Sequence, residues 1–120
     1  MKFSDPAAAL PESLRSRAIV LAGEYAWRPA DVEPVIEAFR GLGVAVVGLE
    51  VWVPEGDSPR VLGQTEYEVP FTKPWARYVD ENARLAVFEF KRRSVPAAAV
   101  FNLTYISEWD AGVIRKKRRE

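Results

Sequence analysis

Apolar positions recur along this chain with two different periods, and the switches between them divide it into helices and strands. Val32, Val35, Ile36 and Phe39 repeat at the spacing of one helical face; with Asp31 placed to cap and Pro34 tolerated in the first turn, they predict a helix over 31–41. Leu10, Leu14, Ala18 and Leu21 make a second stripe behind Pro11 and predict a helix over 11–23 that stops at Gly23, followed by a loop through EYAWRPA. Trp75, Val79, Ala83, Ala86 and Phe90 make a third, over 75–93, ended by the Ser-Val-Pro at 94–96. Between these stripes the period falls to two. From Val44 to Val53 one face holds Ala45, Val47, Leu49, Val51 and Val53 and is expected to look at the core, while the other holds Val44, Val46, Gly48, Glu50 and Trp52. PEGDSP at 54–59 is dense in turn formers and reads as a hairpin loop. The return strand, 60–69, alternates Val61, Gly63, Thr65, Tyr67 and Val69 with Leu62, Gln64, Glu66 and Glu68. A third strand is expected over 97–106, where β-branched and aromatic residues gather. The fold class is therefore α+β, a small antiparallel sheet of about three strands against about three helices. One domain spanning 1–120 is expected, with a loose leader at 1–9 and a frayed basic tail at 114–120.

Gly41, Gly43 and Gly48 surround an apolar run and suggest a phosphate-cradling loop. Such a loop follows a strand and opens a helix, whereas here the glycines close a helix and precede a strand. Gly41 is expected to supply the left-handed residue after the last turn, with Leu42 folding back on the helix.

With the strands in place, the second face of the 44–69 hairpin becomes the feature of most chemical interest. It gathers Glu50, Trp52, Gln64, Glu66 and Glu68, three carboxylates with a glutamine and an indole. Trp52 is the one tryptophan expected outside the core, where it would anchor a partner; Trp27, Trp75 and Trp109 are expected mostly as core or half-core. The carboxylates admit three readings: an acid/base or metal cluster, solvated sheet charges, or a patch for a cationic protein. The chain contains neither cysteine nor histidine, which removes disulfides, thiolate chemistry and the commonest general base and metal ligand. The residues thus point to no catalytic set, no metal and no cofactor.

Charge changes the picture once more. The net is zero, but residues 1–70 carry 6 basic and 11 acidic side chains and residues 71–120 carry 11 basic and 6 acidic. The runs KRR at 91–93 and RKKRR at 115–119 would suit phosphate, but without net positive charge or a nucleic-acid motif they read as a favourable helix end and a solvated tail. No stretch approaches the ~18 apolar residues of a membrane helix, and the N-terminus lacks the apolar core of a secretory signal. Residence in the cytoplasm is the expectation.

The segment VIEAFRGLGVAVVGLEVWV at 35–53 is an amphipathic helix, a G-x-G stop and a run of small and β-branched residues that ends in Gly48, Glu50 and Trp52. With YVDENARLAVFEF and the aromatic-rich strand after it, this segment resembles immunity protein family 40 of bacterial polymorphic toxin systems. Leu49 stands where that pattern has a second glycine. The resemblance implies an α+β protein that binds and neutralises a cognate toxin domain, and a basic toxin would suit the Glu50, Trp52, Gln64, Glu66 and Glu68 face. A carboxylate-dependent small enzyme or small-ligand domain, and a module that pairs sheets edge to edge, are the alternatives.

Overall fold

The computed structural model describes residues 5–66 and 74–112. The best-patterned segment forms α2 (Pro29–Gly41), and Val32, Val35, Ile36 and Phe39 are all 0% exposed. Each such burial contributes about 1.5–3 kcal/mol relative to an exposed side chain, so this stripe alone commits the helix to the core. The helix starts earlier than expected, because Pro29 takes the first helical position. Asp31 therefore lies inside the first turn rather than at the cap, with its carboxylate near the positive helix end and accepting a hydrogen bond from Arg17 Nη1 at 3.2 Å.

The helix stop also moves. Gly43, not Gly41, is the left-handed residue, at φ 72°, and it donates to Arg40 O while Val44 N donates to Phe39 O at 3.0 Å. These are the two bonds of a Schellman motif, and Val44 and Phe39 supply its apolar contact within the main core. Leu42 stays 45% exposed instead of folding back. The Gly43 carbonyl then accepts from Trp75 Nε1 at 2.7 Å, which ties the start of α3 (Trp75–Lys91) to the end of α2.

The helix expected over 11–23 does not form. Only Glu12–Arg15 is helical (α1); Ile19–Leu21 (β1) and Glu24–Ala26 (β2) form an antiparallel hairpin instead. Ala22 at φ 52° and Gly23 at φ 79° make its two-residue turn, a conformation that right-twisted strands favour. Ala22 N donates to Asp57 O at 2.9 Å, which fastens this turn to the neighbouring one. Part of the leader is packed as well: Pro6–Ala9 is a 3-10 turn capped by Asp5, and Ala7 and Leu10 are buried.

The larger sheet is antiparallel with order β4-β3-β5, built from β3 (Ala45–Glu55), β4 (Ser58–Glu66) and β5 (Val100–Ile106). The β3–β4 turn is tighter than the expected 54–59 loop, with Gly56 at φ 65°. Residues 67–69 of the expected return strand lie outside the described residues, as does the 114–120 tail. The third strand begins at Val100 rather than 97.

Bulges overturn the simple two-residue alternation. Val46 pairs with Tyr105 but Gly48 pairs with Thr104, so Val47 is an extra residue and the face switches across it. As a result Val46, Leu49 and Val51 share the helix-facing side with Phe101, Leu103 and Tyr105. Phe39 stacks on Tyr105 at 4.5 Å and Phe90 meets Phe101 edge-on at 5.0 Å. Val47 packs with Tyr78, Val79 and Ala45 in a neighbouring cluster. The helices thus cover one sheet face, and the β1–β2 hairpin lies on part of the other.

Candidate functional site

The outer sheet face is built in rows by the register. Glu50 sits between Gln64 of β4 and Asn102 of β5; one row away Gly48 sits between Glu66 and Thr104, and in the other direction Trp52 sits between Val61 and Val100. The β3–β4 pairing therefore brings Glu50, Gln64 and Glu66 into neighbouring rows, as the alternation suggested. Glu68 lies outside the described residues.

Trp52 does not play the expected part. It is 3% exposed, packed against Leu21, Ala26, Val100 and Ile19, because the β1–β2 hairpin folds over this end of the face. It is a core residue of a second, smaller cluster, not an exposed anchor. Its indole Nε1 donates to Glu50 Oε1 at 2.7 Å, which satisfies a donor that burial would otherwise strand. Glu50 is half-buried and so has a structural duty, with one carboxylate oxygen engaged by the indole. Of the expected set, Gln64 is openly exposed, and Tyr25 and Thr104 join it at the surface.

The remaining tryptophans also divide. Trp27 is 1% exposed and donates to Leu14 O at 3.1 Å, whereas Trp109 is 46% exposed. In the basic run at 91–93, Lys91 reaches Glu33 at 3.5 Å and Arg92 pairs with Glu89. Those contacts belong to a helix end stitched to its neighbours.

A cleft of about 270 Å³ lies where β2 parts from β5, lined by Asp5, Glu24, Tyr25, Asn102, Thr104 and Tyr105 among others. Asn102 Nδ2 bridges it, donating to Tyr25 O at 2.8 Å. The Tyr105 hydroxyl donates to Asp5 Oδ1 at 2.8 Å. Burial first, then that hydrogen bond, and then the nearby Tyr25 and Glu24 push the Tyr105 phenol above its ordinary range. None of these residues was singled out from the sequence. Asn102 carried the one available signal, a poor strand former in the middle of VFNLTYI.

Among the described residues, no three His, Cys, Asp or Glu side chains are grouped to hold a metal ion, and no helix is long and apolar enough to cross a membrane. Among the described side chains the outer face offers the half-buried Glu50 carboxylate together with exposed Gln64, Thr104 and Tyr25. Comparison of the chain with known protein families, with curated proteins and with solved structures gave no match.

Proposed function

We propose that this chain is an immunity protein, which binds a cognate toxin domain of basic character and neutralises it as a stoichiometric inhibitor. The observation that carries the reading is the register that sets exposed Gln64 beside half-buried Glu50 on the outer face, one row from the Glu66 position and past the end that the β1–β2 hairpin covers. Rigid strands fix these groups, so little ordering entropy is lost on binding. An acidic face also speeds encounter with a cationic partner and penalises like-charged ones. Trp52 acts from beneath, holding the Glu50 carboxylate in place rather than entering the partner. The resemblance of residues 35–53 to the immunity family points the same way.

The test is titration of the purified protein with the toxin domain encoded beside it. A one-to-one complex is expected, weakened about a hundredfold by Gln64→Lys with Glu66→Lys in a variant of unchanged fold. Unchanged affinity would remove the assigned face, and no complex would remove the immunity reading.

A further inference from the structure

The two edges of the main sheet are finished differently. β4 carries Pro59 and a bulge where Val51 pairs with Gly63 and Trp52 with Val61, both devices that blunt an edge against further pairing. β5 has neither. Its outer side is engaged at one point only among the described residues, where Trp27 N donates to Phe101 O at 2.9 Å and Phe101 N donates to Trp27 O at 2.8 Å.

Antiparallel pairing begun there would next set Tyr25 opposite Leu103 and Gly23 opposite Tyr105. It does not continue, because β2 leaves the sheet plane to cover Trp52, and the Asn102 amide spans the widening gap to Tyr25 O. Alternation directs the main-chain groups of Leu103 and Tyr105 to the same side as those of Phe101, away from β3. No backbone hydrogen bond meets them on that side among the described residues. The cleft of about 270 Å³ opens alongside.

We infer that the β5 edge at Leu103–Tyr105 is a docking site for an extended, lysine- or arginine-bearing segment of a partner protein, which adds to the sheet as a strand. Main-chain bonds to Leu103 and Tyr105 supply the attachment. Asp5 and Glu24, the acidic side chains lining the cleft, select a cationic occupant, and among the described residues no basic side chain lines it. No described ion pair engages either carboxylate. Tyr25, an exposed aromatic at the cleft, adds a ring face for the stem of a long basic side chain. Self-pairing of two copies through this edge is disfavoured by the same carboxylates, which would be brought together. The inference stands apart from the immunity reading, since it concerns the edge of β5 rather than the face of β3 and β4.

The probe is a synthetic peptide of alternating lysine and valine, with an alternating glutamate and valine peptide as control, added to the full chain at low salt and followed by amide hydrogen exchange. The lysine peptide is expected to slow exchange at Leu103 and Tyr105, with affinity falling as salt rises and falling about tenfold in Glu24→Lys. Glu24 is exposed and forms no ion pair among the described residues, so that variant is expected to retain the fold, and Asp5→Asn is a second, independent one. Absence of binding, binding without protection of those amides, equal binding of the control peptide, or indifference to Glu24→Lys would each overturn the proposal. So would a dimer that protects both amides without peptide.

Discussion

The two halves of the outer sheet face have the same strands beneath them and opposite fates. At one end Trp52 and Val100 are sealed under Ile19, Leu21 and Ala26; at the other, Gln64 and Thr104 are exposed polar residues on the strands either side of β3. Glu50 stands on the boundary, bonded to the indole on one side and paired across the strands with Gln64 and Asn102 on the other. The difference teaches that an aromatic beside carboxylates is not thereby a binding residue. A hairpin from distant sequence decides whether it meets solvent or core.

The comparison breaks most severely at Trp52. Trp52→Ala leaves a large cavity under the hairpin and is expected to lower stability by about 3–5 kcal/mol, read by urea denaturation. A loss below about 1 kcal/mol would mean that the hairpin does not cover the residue. At the boundary, Glu50→Ala strands a buried indole N–H and should cost about 1–3 kcal/mol, whereas Glu50→Gln keeps an acceptor and should cost clearly less. Equal losses in the two variants would deny the bond its role. On the open half, a Cβ at Gly48 would stand 3.0 Å from Thr65 O, a main-chain atom that cannot swing away. Gly48→Ala is therefore expected to cost about 1–3 kcal/mol by forcing the strands apart.

How much of this was readable follows from which interactions are local. The α2 stripe and the antiparallel pairing of β3 with β4 depend on near neighbours and a short turn, and both stood in the pattern, whereas the register that sets Glu50 opposite Gln64 depends on the bulge at Leu62. Gly41 and Gly43 are close enough that only the geometry of the last turn separates them. The β1–β2 hairpin was missed because Ala18 and Leu21 happen to fit a helical spacing, which outweighed the β-branched Ile19 and Val20 and the Ala22–Gly23 turn. Without that hairpin Trp52 would stand exposed on the outer face. Extra residues at Val47 and Leu62 are bulges set by the sheet as a whole, and no alternation count can anticipate them.

A smaller effect is expected at the cleft. The Tyr105 phenol is raised above its unfolded value, so its contribution to stability is complete below about pH 10 and is lost as pH climbs towards the folded value. Tyr105→Phe should flatten the alkaline decline in melting temperature while costing about 1 kcal/mol at neutral pH through the lost bond to Asp5. An unchanged alkaline slope would assign that decline to other groups.

The most direct measurement of the central claim is calorimetric titration of the cognate toxin domain against three folded proteins: the natural chain, Trp52→Phe, and Gln64→Lys with Glu66→Lys. The account expects a one-to-one complex that tolerates Trp52→Phe within about threefold and loses about a hundredfold in the charge variant. Loss of affinity in Trp52→Phe with the charge variant unaffected would contradict it, placing the contact on the half of the face that the hairpin covers.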